Sequence, residues 1–398
     1  MSYLDLAQTI GQNLEELKAG GVICTIAQVD SIEKFKELFA ADLTDDHRAS
    51  HSRDLFATAP GLHHSRSAFA GLGDHIYGTR SITPIDKALA ESIFPINVMI
   101  ESAHEIVIRE DVVYGPGALP VLLNYGTVTF AGGSITAKGT VLKLTADSVH
   151  ISPLNQNTRL SSNPYHIGIL GCDGADGAGG TAGTSLHDPA AKGMDSQPVN
   201  PDICSGIPGG SGSPGADGGV GNPGTIGGDG KPNLPASICF GDIITAGLPL
   251  KIHTLSGAGG KGGNGGTGGT GQQGGNGGNG CEAGCQGTDG GNGGNGGRGG
   301  NGGNGGNGGN AVDGDNVYVS VPSNAVGLIV TTSDEVGYGD GGAPGNGGNA
   351  GKAGSGGHGG KHNNNGAEGV CGIPGNQGAA GLTGSRNGKP GNIYVTGL

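Results

Sequence analysis

The chain has 398 residues, of which 91 are glycine and 20 are proline, and it contains no tryptophan. So much glycine is typical of repetitive or low-complexity sequence, so a conventional hydrophobic core can occupy only part of the chain. The net charge is −13 and no basic run offsets it, which argues against a phosphate-binding surface. We therefore expect no nucleic-acid partner.

The first 95 residues predict a small α/β region that serves attachment or assembly. Residues 4–17 and 31–43 have the apolar spacing of helices, and Ser31 is suited to cap the second helix. The intervening stretch 22–29, VICTIAQV, predicts a short buried strand. The first 20 residues carry acidic side chains and lack the apolar core of a signal peptide, so no classical secretion signal is predicted.

Histidines are frequent between residues 44 and 80, and His47 and His51 are four apart, so a helix would place them on one face. This spacing suggests zinc, but no HExxH motif, no nearby cysteine pair and no third ligand accompanies it. We favour solvated histidines, and we predict no metal and no cofactor.

From residue 96 to residue 170 the sequence consists of short alternating strand patterns joined by glycine-rich turns. This pattern of many short strands is typical of a β-solenoid or a small sandwich. We favour a solenoid-like body, because similar strand patterns return later, between glycine-rich excursions. The predicted strands are 96–100, 105–109, 121–123, 127–130, 134–137, 141–146, 149–152 and 166–170, then 250–255, 316–320, 328–332 and 392–396.

Residues 171–398 contain three glycine-rich excursions, each of which divides into two triplet runs around a reversal. A period of three suits the extended left-handed helix of the polyproline-II type, which has no internal hydrogen bonds. The predicted fold class is therefore mainly β and irregular, with a solenoid-like body and about six antiparallel polyglycine-II helices. Residues 257–310 carry two glycines per triplet and are predicted to be central. A flexible linker is the main alternative.

If each excursion runs out and back, Cys172 and Cys239 lie beside the β body, and a disulfide between them is predicted. The other four cysteines of this region, Cys204, Cys281, Cys285 and Cys371, are then expected near the far end, where they could form two disulfides. Free thiols and a zinc site formed by these four cysteines are the alternatives.

The GGNGGNGGN runs, the reversals at polar loops and the interleaved strands give residues 166–398 a resemblance to the polyglycine-II tail-fibre tip adhesins of T-even-like bacteriophages. The resemblance implies receptor recognition by the loops at the far ends of the glycine runs, in residues 184–205, 281–289 and 361–365. It also favours an extracellular or virion-associated location. The residues that these loops offer for binding are His187, Asp188, Lys192, Asp195, Asp202, Lys361, His362, Asn363, Asn364 and Asn365.

The sequence contains no motif of a hydrolase, a P-loop enzyme or a dinucleotide-binding enzyme, and we expect no catalysis. No stretch approaches about 18 apolar residues, so membrane insertion is not expected either. We therefore predict a non-enzymatic adhesin that binds a cell-surface protein or glycan. A structural protein that self-associates into a fibre or coat through asparagine ladders is the alternative, and an ice-binding protein is a minor third.

Overall fold

A computed structural model of the protein describes residues 2–57, 67–152, 163–200, 205–282 and 286–398. Within these ranges the chain forms seven helices, an eight-stranded sheet and a five-stranded sheet, together with a two-stranded ribbon. The three glycine-rich excursions leave the sheets and return to them as long extended segments without regular secondary structure. The fold is therefore mixed α/β.

In the described ranges, all of the α-helices lie before residue 95, and a single 3-10 helix follows much later. Their bounds are α1 Tyr3–Thr9, α2 Leu14–Lys18, α3 Ile32–Ala40, α4 Asp45–Ala57, α5 Ser67–Tyr77 and α6 Pro84–Ile93, with the 3-10 helix at Ser323–Leu328.

The strands begin within the helical region and continue to the end of the chain. Their bounds are β1 Val22–Val29, β2 Ile96–Ile108, β3 Val112–Tyr114, β4 Val121–Phe130, β5 Ile135–Lys138, β6 Leu142–Ile151, β7 Ile167–Leu170, β8 Pro198–Asn200, β9 Ser205–Gly206, β10 Ala236–Phe240, β11 Ile243–Thr245, β12 Leu250–Leu255, β13 Val317–Val321, β14 Ile329–Asp334 and β15 Ile393–Gly397.

The two large sheets pack face to face and are parallel throughout, except where β1 pairs antiparallel with β2. The first sheet has the order β1-β2-β4-β6-β10-β13-β15, with β11 beside β6, and the second has the order β14-β12-β7-β5-β3. Apolar side chains of both sheets, such as Leu144, Ile238 and Ile252, fill the space between them. Parallel sheets are usually covered on their faces, and here helices cover the outer side of the first sheet.

The helical layer follows from local sequence. Ser31 accepts a hydrogen bond from the backbone of Lys34 at 3.3 Å, which confirms it as the cap of α3. Phe35 and Phe39 of this helix stack at 4.3 Å and pack toward the first sheet, beside residues such as Tyr318. Burying one such aromatic side chain contributes on the order of 2 kcal/mol.

Two predictions for the first 30 residues are wrong in part. The helix expected over residues 4–17 is interrupted, because Gly11 has φ +75 and Asn13 caps a separate helix α2. The strand at 22–29 forms, but it is the edge of the first sheet and most of its side chains are exposed. An eight-residue apolar pattern does not reveal whether a second neighbouring strand is present.

The predicted fold class is wrong. The protein is a mixed α/β protein with two largely parallel sheets, and neither a β-solenoid nor a polyglycine-II helix bundle is shown among its described residues. One reason is the size of the helical layer, which covers a whole sheet instead of forming a small appendage. Another is that several predicted short strands join into longer ones, so that the strands predicted at 96–100 and 105–109 are the single strand β2, Ile96–Ile108.

Six extended glycine segments connect the sheets beyond residue 170. We number them segment 1 (171–197), segment 2 (206–231), segment 3 (257–281), segment 4 (287–311), segment 5 (337–361) and segment 6 (364–386). Segments 1, 3 and 5 leave the second sheet after β7, β12 and β14. Segments 2, 4 and 6 return to the first sheet and enter β10, β13 and β15.

Hydrogen bonds between the segments recur at every third residue. The amides of Gly177 and Gly180 in segment 1 donate to the carbonyls of Lys261 and Asn264 in segment 3, at 2.7 and 2.8 Å. An extended chain has no internal partner for its amides, so these contacts supply what a helix would supply locally. The glycine spacing of three thus matches the spacing of the contacts between segments.

Asparagine and aspartate side chains satisfy further backbone amides across segments. Asn295 of segment 4 accepts from the backbone of Val370 in segment 6 at 2.8 Å, and Asn301 accepts from Asn376 at 2.9 Å. Asp217 of segment 2 accepts from the backbone of Arg298 at 2.7 Å. These side-chain oxygens therefore join neighbouring segments within one molecule.

We predict that Gly300→Ala is strongly destabilising, because a Cβ there would lie 1.8 Å from the carbonyl oxygen of Gly219. The backbone must shift, and we expect a loss of about 3 kcal/mol in the free energy of unfolding. Gly179→Ala is the matched control, since its Cβ would meet only the oxygen of Asn264 at 3.7 Å. Urea unfolding of both variants measures the difference, and equal stability of the two would contradict the packing described here.

Candidate functional site

Three polar turns that are far apart in sequence meet where the glycine segments reverse, at the end opposite the sheets. The backbone of Asn279 donates to Asp195 at 2.7 Å, and the amide of Gly287 donates to the carbonyl of Lys361 at 2.9 Å. We call the exposed side chains gathered there the distal surface. It consists of Lys192, Asp195, Glu282, Gln286, Asp289 and residues 361–365.

Thr288 joins the three turns. Its side chain is buried, and its hydroxyl accepts from the backbone of Cys281 at 3.0 Å and donates to the hydroxyl of Ser196 at 3.1 Å. Its carbonyl accepts from the amide of Gly360 at 2.9 Å. Thr288 therefore contacts the far ends of segments 1, 3 and 5, where the three turns begin, and it fixes their relative positions.

The third turn is held by its own side chains. Asn363 donates to the carbonyl of Lys361 at 2.9 Å, and Asn365 accepts from the backbone of Gly359 at 2.8 Å. Between them His362 has φ +66, the one positive φ among the described non-glycine residues. Such a conformation is uncommon outside glycine, although histidine tolerates it better than most residues. The turn therefore holds the imidazole of His362 and the ammonium of Lys361 out in solvent.

Charge on the distal surface is mixed. Lys192 forms an ion pair with Asp195 at 2.7 Å, and this hydrogen bond, together with the backbone amide of Asn279, lowers the pKa of the Asp195 carboxyl. Asp289 accepts from the backbone of Asn364 at 2.9 Å. The surface thus offers cationic donors, carboxylate acceptors and amides side by side, which suits a polar ligand.

The structure gathers most, but not all, of the residues predicted for binding. Lys192, Asp195 and residues 361–365 lie on the distal surface. His187 and Asp188 do not, because segment 1 continues past them and Gln272 donates to the carbonyl of Asp188 at 3.0 Å. They lie about 30 Å short of the end of segment 1, at roughly 3.1 Å per extended residue. Asp202 lies outside the described residues.

Sequence reasoning missed the role of Thr288 and the contribution of Asp289. Both lie within the predicted loop 281–289, but neither was singled out as a site residue. The available signal was that Thr288 follows an interruption of the triplet pattern and precedes its return at residue 290. An interruption of this kind marks a turn, and polar turn residues commonly hold neighbouring backbone groups.

The predicted disulfides are not present among the described residues. Cys172, Cys239 and Cys371 are free thiols, so the structure contains neither the bond between Cys172 and Cys239 nor a bond that involves Cys371. Cys371 lies along segment 6, several residues beyond the turn, and Cys239 lies on β10 against the helical layer. Burial raises the pKa of the Cys239 thiol to about 11. Cys204 and Cys285 lie outside the described residues.

His47 and His51 are buried, so the prediction of solvated histidines is wrong. Helix α4 turns both toward the first sheet, where His47 contacts the hydroxyl of Thr396 at 2.8 Å and His51 contacts that of Tyr318 at 2.5 Å. In the parts of the chain that are described, no group of three or more His, Cys, Asp or Glu side chains is arranged to hold a metal ion.

A cavity of about 320 Å³ lies between α1, α3 and the first sheet. The Lys143 ammonium is almost wholly buried at its base, where it pairs with Asp42 and lies 3.3 Å from the hydroxyl of Ser237. The pKa of Asp42 is lowered by the ammonium, which outweighs the effect of burial. This ion pair joins the helical layer to β6. Removing one partner of a buried pair costs about 3 kcal/mol or more.

No protein family, curated protein or solved structure matches the chain. The resemblance to phage tail-fibre adhesins therefore stays an expectation from the sequence. No helix in the described ranges is long and apolar enough to cross a membrane.

We predict that Thr288→Val loosens the distal surface, because valine has the same shape but leaves the amide of Cys281 and the hydroxyl of Ser196 without this partner. The expected cost is about 1–3 kcal/mol. Thr288→Ser keeps the hydroxyl and is the control. Amide hydrogen exchange should accelerate around residues 279–282 and 358–365 in the valine variant only. Equal protection in both variants would show that Thr288 does not join the turns.

We also predict that stability falls as the pH is lowered from about 6.5 to about 4. Burial lowers the pKa of His47 and lowers that of His166 to about 4. The unfolded chain therefore binds more protons than the folded one in this window, so acid favours unfolding.

Urea unfolding at pH 7 and at pH 4.5 measures this effect. His166 Nδ1 accepts from the backbone of Lys251 at 2.9 Å, and His166→Asn retains an acceptor near that position without a titrating ring. The variant should show a smaller loss of stability in acid than the native protein. A loss of the same size would exclude His166 as a contributor.

Proposed function

We propose that this protein is a non-enzymatic receptor-binding protein whose binding site is the distal surface. The observation that supports the proposal is the joining of three separate turns through Thr288. A chain that only needed to reverse direction three times would require no contact between its reversals. Binding residues are commonly placed on loops that a rigid scaffold holds in position, and here each turn is fixed at its base.

The rigidity of the turns favours binding. The amides of Gly287, Gly290 and Gly360 all donate to carbonyls of neighbouring turns or segments at 2.9–3.0 Å. A ligand would therefore meet side chains whose backbone is already ordered, so that on the protein's side the ordering cost is limited to about 0.5–1.5 kcal/mol per immobilised side chain. A fixed polar surface of this kind is suited to selective recognition.

The composition of the surface indicates the kind of ligand. Lys361, Asn364 and Gln286 offer hydrogen-bond donors and acceptors, and Met194 and Ile207, near the far ends of segments 1 and 2, are exposed apolar side chains. A hydroxyl-rich glycan presents alternating polar groups and apolar ring faces, so it fits both features. A polar patch of a cell-surface protein is the other partner that this chemistry suits.

The alternative of a fibre built through asparagine ladders is less well supported. The side-chain oxygens of Asn295, Asn304 and Asn307 already accept from backbone amides of segment 6 at 2.8–2.9 Å. These oxygens already join segments within one molecule, so the regular asparagine spacing has an intramolecular explanation and does not require a ladder between molecules.

We predict that Lys361→Ala combined with Asn364→Ala weakens receptor binding by at least tenfold, since each lost hydrogen bond is worth about 1 kcal/mol. Neither side chain supports another residue through a hydrogen bond of the turn. Lys352→Ala combined with Asn349→Ala is the matched control, because both side chains are exposed in the middle of segment 5. Labelled protein is measured against a panel of bacterial cells and polysaccharides. Selective binding that is lost in the first variant and kept in the control supports the proposal, whereas no binding, or binding equal in both variants, overturns it.

A further inference from the structure

We propose that a flat side of the glycine segments is the interface of a symmetric homodimer. This side, the even face, consists of every third residue of segments 2, 4 and 6, over 211–229, 292–310 and 367–385. Hydrogen bonds place the three rows of side chains next to each other, as between Asp217 and the backbone of Arg298. The proposal is independent of the distal surface.

Exposed large apolar side chains are concentrated on the even face, in the rows of segments 2 and 6, which flank the asparagine and arginine row of segment 4. Five of its large apolar side chains are between 59% and 71% exposed: Val220, Ile226, Val370, Ile373 and Leu382. The opposite side consists of every third residue of segments 1, 3 and 5, among them Asn264, Thr267 and Lys352, and it carries no exposed large apolar side chain. A cluster of exposed apolar side chains on one flat side is typical of a protein interface.

Charge also favours an identical partner. The protein has a net charge of −13, so two copies repel each other over most of their surfaces. On the central part of the even face, however, the carboxylate of Asp217 lies beside Arg298, and the neighbouring outward residues are apolar or amide. Two copies can therefore approach on this side with little electrostatic cost.

The face is self-complementary about a two-fold axis that crosses the segments at Val220. The amide of Gly221 donates to the carbonyl of Asn301, and Asn301 accepts from Asn376, so these residues define one row across the face. A rotation of 180° about this row places Val220 opposite Val220 of the second copy and Ile226 opposite Pro214 of the second copy.

The same rotation pairs the apolar residues of segment 6. Val370 then lies opposite Leu382 of the second copy, and Ile373 lies opposite Ala379. Arg298 faces the amide side chain of Asn304, so like charges do not meet. An interface that uses the same patch on both subunits requires this kind of self-complementarity.

The size of the face is sufficient for a stable dimer. Eighteen residues at about 3.1 Å each give a length of about 56 Å, and three extended segments about 5 Å apart give a width of about 15 Å. The product, about 800 Å², equals the area that each partner buries in a standard protein interface. The rotation makes the segments of the two copies antiparallel. The helices stand on the outer side of the first sheet, where Tyr318 packs against them, so the helical layers of the two copies lie at opposite ends of the dimer.

The first test is the mass of the protein in solution by sedimentation velocity. The native chain should sediment as a species of twice its mass of 38.7 kDa. Val370→Asp combined with Leu382→Asp should convert it to the monomer. Thr267→Asp combined with Ala343→Asp adds the same charge to the opposite side and should leave the dimer intact. A monomeric native protein at tens of micromolar, or equal dissociation of both variants, overturns the proposal.

The second test concerns the position of the axis. Val220→Cys, made in a chain with Cys24→Ser and Cys371→Ser because both native thiols are exposed, should form a disulfide between copies under mild oxidation. Ile226→Cys is the control, because residue 226 lies about 37 Å from its own copy in this arrangement, at roughly 3.1 Å per residue. Covalent dimers of Val220→Cys alone support the proposed axis. Equal cross-linking of both, or of neither, overturns it.

Discussion

The extended glycine segments must obtain partners for their backbone amides from neighbouring segments, and the rest of the structure depends on this requirement. A helix satisfies its amides locally, whereas these segments satisfy them only when their neighbours lie in one particular register. The parallel strands set that register. Ile252 of β12 pairs with Ile167 of β7, and further on the backbone of Ala258 donates to Asp173, a pair with the same separation of 85 residues. The two sheets thus act as a template from which the segments extend.

The same requirement accounts for the residues between the glycines. Where a glycine amide donates to a neighbouring carbonyl, a Cβ would collide, as at Gly300 and Gly309. Where a side chain points outward from a segment, an asparagine or aspartate provides one more acceptor for a backbone amide of the adjacent segment. Side chains that cannot accept, such as Val370 and Leu382, occupy the outward positions of segment 6. The outer side therefore acquires an apolar character without disturbing the hydrogen bonds beneath it.

A register set at the sheets also determines what happens at the opposite end. Because each segment keeps a fixed position relative to its neighbours, the three turns arrive together, and Thr288 can contact all of them. The arrangement of the distal surface thus depends on the register of hydrogen bonds that is set at the sheets. The helical layer contributes at the other end, where Asp42, between α3 and α4, pairs with Lys143 of β6. Both proposals, receptor binding at one end and dimerisation along one side, depend on the segments keeping this register along their whole length.

The sequence by itself determined the local features: the cap at Ser31, most of the strands, the three excursions and the places where they reverse. These depend on residues close together in the chain, such as a capping hydroxyl, an alternating apolar pattern or a break in the glycine spacing. Seven of the ten residues predicted for binding also lie on the distal surface, because a polar turn residue can be recognised locally.

Only the tertiary structure decided which strands pair, how far the helices cover the sheet and how far segment 1 continues. It buried His47 and His51 against Tyr318, left Cys172 and Cys239 as free thiols, and placed His187 short of the end. Each of these outcomes depends on contacts between residues tens to hundreds of positions apart. Composition and spacing do not encode such contacts, because burial and pairing are set by the elements that pack nearby and not by the residue's own neighbours in the chain.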